Sequence, residues 1–406
     1  MTQVLADLKV VEHGTFITGP AASMLLADLG ADVVKVELPG TGDPFRAFKG
    51  ELYSPHFQTY NRNKRSITLN TKDKADLAKF DALIAEADVY IQNFRPGFAE
   101  LIGAGHERLR AINPRLIYCA ISGFGPTGPY AKRPSYDTVA QAVSGFLGLL
   151  INPADPRVVG PAMADSLTGF YAAYGVLGAL YERNTTGQGR LVEVSMMEAM
   201  THFNLDAFTH LFSAQEVMGP FSRPNVSQSY VMCCSDGLWL ALHMSSPPKF
   251  WEGLANAMER EDIFQDPRFS SRQARIDHQQ DLMLVLRDIF KLRTRADWCA
   301  RLVAQDVPHA PMYTTEEVPH DPQAQHLELF VEAPHPTSGV FKTVRSPVSF
   351  DGQRSLKVTA PPLLGQHNHE FNAGWPVRKG PATSWRPMTT NFPDEPPSHC
   401  FPHPQP

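Results

Sequence analysis

Leu8-Lys9-Val10-Val11, then Gly19-Pro20, then AASMLLADLG (21–30) and VVKV (33–36) follow one another near the start of this 406-residue chain. The β-branched run at 8–11 suits a pleated strand. The apolar spacing of 21–29 predicts a helix opened by Gly19-Pro20 and stopped by Gly30, and 33–36 is the next strand. Further strand signals stand at 66–69, 89–92 and 116–121, with a helical pattern at 74–86. Strands alternating with helices predict an α/β fold: a doubly wound parallel sheet covered on both faces. Ligands on such sheets bind beyond the strand ends, which points to the loops after residues 11, 36, 92 and 121.

A chain of this length is expected to divide into two domains. The balance of 37 basic against 42 acidic side chains, net −5, argues against a generally basic nucleic-acid binder. No apolar run approaches the roughly 20 residues that cross a bilayer, and the N-terminal residues lack a signal-peptide pattern. A cytoplasmic protein without membrane or nucleic-acid partners is the expectation. Cys119, Cys233, Cys234, Cys299 and Cys400 are too scattered for a disulfide framework. The cluster Gln366-His367-Asn368-His369-Glu370 offers too few ligands for zinc, so no metal is expected.

The texture changes after residue 215, where Gly219, Pro220 and Pro224 make a linker. The expected organisation is a large domain over 1–217 and a smaller α+β domain over 226–325. A return to the large domain follows over 326–372, then an irregular tail over 373–406 with nine prolines. Helices are expected at 248–258, 279–291 and 295–305, and strands at 340–344 and 348–350.

Gly123-Phe124-Gly125-Pro126-Thr127-Gly128 fits a dinucleotide fingerprint by letter only. Pro126, Pro129 and Pro134 forbid the helix whose N-terminus would meet a pyrophosphate, so a turn-rich loop is predicted instead. Arg62, Lys64, Arg65, Lys72 and Lys74 form either a solvated face or a phosphate-binding patch. Asn93-Phe94-Arg95-Pro96-Gly97 sets an amide, a ring and a guanidinium directly after a strand, a combination able to stack a purine. In Gly160-Pro161-Ala162-Met163-Ala164-Asp165, the aspartate stands where an N-cap belongs. Besides capping, a carboxylate there has a chemical use: ionised beside free N–H groups, it can attack a thioester whose oxyanion those groups receive.

At this point the chain resembles the class III coenzyme A transferases, the group of formyl-CoA and carnitine-type CoA transferases, related to α-methylacyl-CoA racemases. The resemblance rests on LLADLGADVVKVELPGTGDPFR, NRNKRSITLNTK, QNFRPGFAELIGAG, INPRLIYCAISGFGPTGPY, YDTVAQAVSG, GPAMADSLTG, TTGQGRLVEVSMMEA and APPLLGQHNHE, and spans about residues 5 to 370. It implies a large Rossmann-like domain built from both chain ends, a smaller middle domain, and an interlocked homodimer. It further implies Asp165 as the nucleophile. Coenzyme A contacts fall on Ile17, Thr18, Leu69, Lys72, Asn93, Phe94, Arg95, Tyr136 and Met196. The partners implied are an acyl-CoA and an acceptor carboxylic acid, with no cofactor beyond coenzyme A itself.

Racemases of this group carry a histidine before the aspartate of the YD-type segment, whereas this chain has Tyr136-Asp137. Tyrosine, with a pKa of about 10, is a poor base near neutrality, so transfer is expected rather than racemisation. The remaining alternatives are a CoA-binding protein without catalysis and a nicotinamide oxidoreductase. Formyl-CoA transferases carry a glutamine where this chain has Ile17, and a glycine-rich lid where it has Met244-Ser245-Ser246-Pro247-Pro248. Oxalate and formate are therefore not expected as substrates.

Overall fold

The computed structural model describes residues 3–49, 52–245, 247–335, 339–354, 358–371, 374–376 and 386–387. Two compact units result. One joins Met1–Leu147, Arg157–Asp206 and Glu328–Met388, and the other joins Gly148–Pro156 with Ala207–Leu327. Against the expected boundaries, the middle unit starts before the Gly219-Pro220 linker and takes in a short excursion ahead of Asp165.

The first unit runs β1 (Lys9–His13), α1 (Thr18–Asp28), β2 (Asp32–Glu37), α2 (Pro55–Tyr60), β3 (Lys64–Thr68), α3 (Lys74–Glu86) and β4 (Val89–Gln92). Then come α4 (Phe98–Leu101), α5 (His106–Ile112), β5 (Ile117–Ser122), α6 (Asp137–Val143), α7 (Met163–Thr186), β6 (Leu191–Ser195) and α8 (Met196–Phe203). Six strands form one sheet in the order β3-β2-β1-β4-β5-β6, each pair parallel. Strand order reverses between β1 and β4, which opens a crevice at their carboxyl ends.

Successive strand residues alternate between two cores, as the pleat requires. Val10, Val33, Ile91 and Ile117 pack with Ala22 and Leu26 of α1 and Ala172 and Val176 of α7. Val11, Val34, Tyr90 and Tyr118 pack with Phe80, Leu83 and Ile84 of α3. Doubly covered strands explain why these runs read as continuously apolar. The exceptions are charged: Glu12, Lys35 and Lys64 are fully buried, with Lys35 Nζ 2.6 Å and Lys64 Nζ 2.7 Å from the Glu12 carboxylate. Lys35 also pairs with Asp43 at 2.9 Å, and Arg46 with Glu37 at 2.7 Å.

The return segment departs from simple continuation of the sheet. β10 (Phe330–His335) and β11 (Gly339–Val344) pair antiparallel in a second sheet, completed by Arg386–Pro387 on the other side of β10. They are tied to the wound part through Thr343, which accepts from Arg62 at 3.0 Å. The strand expected at 348–350 is only Ser349–Phe350. Most of the expected tail, including Cys400, lies outside the described residues. Trp375 is an exception to irregular draping: it is buried against Phe371 and donates its indole N–H to Asp32 at 2.8 Å.

In the second unit, β7 (Ser229–Cys233), β8 (Trp239–His243) and β9 (His309–Pro311) form an antiparallel sheet. Helices Pro248–Met258, Gln279–Phe290 and Arg295–Ala304 cover one face, burying Met232, Leu240, Trp251, Leu254, Leu286 and Trp298. Among the described residues no helix is long and apolar enough to cross a membrane.

Candidate active site

The site is built where β1, β4 and β5 end. Asn93, just after β4, clamps the loop that follows β1: its Oδ1 accepts from the Thr15 N–H at 2.9 Å. Its Nδ2 donates to the Thr15 carbonyl at 2.7 Å and to Thr18 Oγ1 at 2.9 Å. A Cβ at Gly14 would stand 3.3 Å from Asn93 Oδ1, so a small residue lets this approach happen. The amide expected at coenzyme A thus helps shape this loop, with both its N–H groups donated and its oxygen accepting one bond. Phe16 sits within that loop at φ +61°, a conformation that bulky residues rarely adopt. Its N–H is held by Asp43 Oδ1 at 3.1 Å, so the buried charge cluster under the sheet end fixes the turn.

Helix α7 brings Asp165 to the same place. A Cβ on Gly169 would stand 2.7 Å from Ala21 Cβ and 2.9 Å from the Thr18 carbonyl, so only glycine permits this close crossing of α7 on α1. Asp165 lies one turn ahead of Gly169, and Ala162 packs against the Ile17, Ala21, Phe45 and Phe57 cluster. Asp165 is not the N-cap its sequence position suggests: the helix starts at Met163, with Asp165 in its first turn. The capping carboxylate is Asp137, whose Oδ1 accepts from the N–H groups of Ala164 at 2.8 Å and Asp165 at 3.3 Å. Met163 and Ser166 donate to the carbonyls of Pro161 and Ala162. These first-turn donors are therefore committed, and the expectation that they receive an oxyanion is corrected. Against the expectation of an ionised carboxylate, burial, with the Asp137 charge beside it, pushes the half-buried Asp165 carboxyl up to about 7.

Tyr136 immediately precedes α6 and is largely exposed, its ring 5.9 Å from that of Phe16 and roughly perpendicular. Ile17 and Thr18 are buried at the start of α1. Met196 is buried at the start of α8, which packs on α7. Phe94 and Arg95 line a cleft of about 380 Å³ at the ends of β4, β5 and β6, together with Gln92, Tyr118 and Ser195. The Phe94 ring lies 5.0 Å from His13, whose imidazole burial pushes down to about 4, so it is neutral at pH 7. Leu69 is a core residue packed among Val36, Ile67 and Phe80. Lys72 is exposed in the turn before α3.

Neither reading of the basic patch holds for its first three members. Arg62 pairs with Asp28 at 2.5 Å, Lys64 with Glu12, and Arg65 with Asp32 at 2.5 Å and Glu370 at 3.1 Å. They are internal ties between β3, its neighbours and the return segment. His367 and Asn368 likewise accept the N–H groups of Ser66 and Thr68, at 3.1 and 2.8 Å, along the edge of β3. Residues 123–136 form turns as predicted, with Gly125 and Gly128 at positive φ.

A family model described as CoA-transferase family III matches residues 5–368. This chain belongs to that family. The enzyme is 33% identical to a formyl-CoA:oxalate CoA-transferase of Streptomyces avermitilis, over 92% of this chain and 96% of the relative. It is also 33% identical to a succinyl-CoA–D-citramalate CoA-transferase of Chloroflexus aurantiacus, over 90% and 92%. A human succinyl-CoA:glutarate CoA-transferase is 29% identical over 89% and 84%. The solved structure of a CAIB/BAIF family protein from Brucella suis superposes with a TM-score of 0.82 at 32% identity, over 91% of this CoA-transferase and 98% of that chain. The relatives' names differ in their acids, so membership leaves the acid open.

Proposed function

We propose that this CoA-transferase works through Asp165 as nucleophile. The Asp165 carboxylate attacks the thioester carbonyl of a donor acyl-CoA; the C–S bond breaks and the coenzyme A thiolate leaves with its electron pair. The thiolate then attacks the aspartyl carbonyl of the resulting anhydride, expelling the donor acid as a carboxylate and leaving an aspartyl thioester. The acceptor carboxylate attacks that thioester and releases the thiolate. Attack of the thiolate on the acceptor carbonyl frees Asp165 and gives the new acyl-CoA. Protons and electrons balance, and one thioester replaces another, so positioning supplies most of what the reaction needs.

The observation that carries this reading is the placement of Asp165: half-buried, pushed up to about 7, and carried one turn ahead of the Gly169 that lies against α1. An acid partly withdrawn from water makes a stronger nucleophile than a solvated one. Phe94 and Arg95 in the cleft, with exposed Lys72, are our candidates for the coenzyme A moiety, and Ile17, Thr18, Tyr136 and Met196 for the thioester end. We further propose a homodimer, interlocked as the family resemblance implies. It is supported by the exposed run Phe170, Tyr174, Leu177 and Tyr181 along one face of α7.

Trapping with hydroxylamine during turnover, followed by peptide mapping, tests the mechanism. Modification of Asp165 and loss of transfer in Asp165→Ala are expected; a label elsewhere, or full activity in the variant, overturns it. A carboxyl titrating near 7 also suits abstraction of an α-proton. Deuterium wash-in at the α-carbon without any free acid would mark that second reading, an acyl-CoA racemase.

A further inference from the structure

A group of rings gathers around Phe16, close to the start of the helix that carries Asp165. Phe16 lies 5.2 Å from Phe45, 6.5 Å from Phe48 and 5.9 Å from Tyr136, each pair nearly perpendicular. Phe48 lies 4.9 Å from Phe45 and 5.4 Å from His56. Phe48 is 58% and Tyr136 61% exposed, an unusual state for large rings meeting at one place. The group adjoins the nucleophile through two links. Ala162, which precedes α7, packs on the Ile17–Phe45 cluster together with Phe16, and Tyr136 adjoins the Asp137 that caps α7.

The charge pattern is as informative as the rings. The two cations beneath the group are already matched: Arg46 by Glu37, and Lys35 by Glu12 and Asp43. Arg46 also lies 3.6 Å from the Phe57 ring, facing away from solvent and fully buried. A second carboxylate entering here would meet ring edges and the Ile17 side chain, and the buried Lys35 and Arg46 beneath are already matched. An aryl group would meet the edge-to-face geometry already present among the rings. The strained backbone of Phe16, held by Asp43, marks its ring as deliberately aimed.

We propose that Phe16, Phe48, His56 and Tyr136, floored by Ile17 and Phe45, form an acyl pocket selecting carboxylic acids with an aromatic body and no second carboxylate. The inference rests on the reading of Asp165 as the thioester-side residue and adds the substrate class to it.

The test is a pair of isotherms on the full-length Asp165→Asn protein, which blocks turnover, with phenylacetyl-CoA and succinyl-CoA as probes. Phenylacetyl-CoA is expected to bind about tenfold or more tighter. Phe48→Arg in the same background is expected to reduce that ratio about tenfold, because it replaces an exposed ring by a cation. Tighter binding of succinyl-CoA, especially if lost in Lys49→Ala at the exposed neighbouring position, overturns the proposal. So does an unchanged ratio in Phe48→Arg accompanied only by a changed oligomeric state, which would make these rings a subunit contact. Because binding is measured without transfer, a failure of hydroxylamine to label Asp165 in the wild-type protein counts against the mechanism alone.

Discussion

Asp137 caps the helix that carries Asp165, and its carboxylate oxygen takes the N–H of Asp165 itself at 3.3 Å. One side chain therefore does two things to the nucleophile. It fixes the first turn on which Asp165 rides, and it sets a like charge beside a carboxyl that burial has already made hard to ionise. A second bond from Gln141 Nε2 to Asp137 Oδ2, 2.5 Å, holds the cap in place.

These two effects separate by substitution. Asp137→Asn keeps an acceptor oxygen for the helix and removes the charge, so Asp165 should ionise more easily. The acid limb of kcat/KM, which should rise through about 7 in the wild type, is expected to move to lower pH. Asp137→Ala loses the acceptor as well, and should destabilise the protein by about 1 kcal/mol beyond the asparagine variant. Superimposable pH profiles for wild type and Asp137→Asn would show that the aspartate charge does not reach Asp165.

Asp165 should also leave a mark on stability. Its folded pKa, about 7, lies above the ordinary 3.8. A group raised in this way favours folding fully only below its unfolded pKa, and that contribution is lost as pH rises through the folded value. Asp165→Asn is accordingly expected to match wild type near pH 3.5 and to be more stable at pH 8. Solvent access to the half-buried group reduces the gain to about 1–2 kcal/mol. Thermal melts across that range decide it, and a constant difference between the two proteins would contradict it.

The extents of α3 and β4 were legible in the sequence because local patterns set them: Lys74–Glu86 and Val89–Gln92 are bounded as their residues predict. The position of Asp165 near the start of a long helix was legible through the segment around it, and the turns after Gly123 through their prolines. What distant chain decides was not legible. Arg62, Lys64 and Arg65 cluster in sequence as a surface or phosphate patch would, but Asp28, Glu12 and Asp32 arrive from α1, β1 and β2 to take them. Nothing local announces that Asp137 caps a helix starting at Met163, since both termini are brought together by packing. Nor does any residue type signal Phe16 at positive φ, because its turn is imposed by Asp43 and Asn93.

The crossing of α7 over α1 predicts an unusually sensitive glycine. Alanine at Gly169 gains helix propensity, yet its Cβ would meet Ala21 Cβ at 2.7 Å and the Thr18 carbonyl at 2.9 Å. Backbone cannot yield as a flexible side chain does, so the helices must separate, at about 1–3 kcal/mol. The same shift moves α7, which carries Asp165, away from the start of α1, and kcat is expected to fall together with the melting temperature. An alanine variant as stable and active as wild type would mean that the crossing has slack.

The buried pair of lysines on Glu12 gives the largest expected effect. Burial raises the Glu12 pKa, but Lys35 and Lys64 outweigh it and bring the carboxyl to about 2, below its ordinary 4.5. A depressed acid contributes stability that is fully present above its unfolded pKa and disappears as pH falls through the folded one. Glu12→Gln leaves Lys64 without its counter-charge at 2.7 Å, and should destabilise by about 3–5 kcal/mol at pH 7. The deficit should shrink between pH 4.5 and 2, where wild-type Glu12 itself takes up a proton. It should also shrink as pH rises towards 8, because burial pushes Lys64 down to about 8 even beside Glu12, loss of Glu12 lowers it further, and a lysine that has lost its proton needs no partner. Denaturant unfolding at pH 3, 7 and 9 reads all three arms. A deficit that stays flat across them would mean the variant fails by misfitting its cavity rather than by stranding a charge.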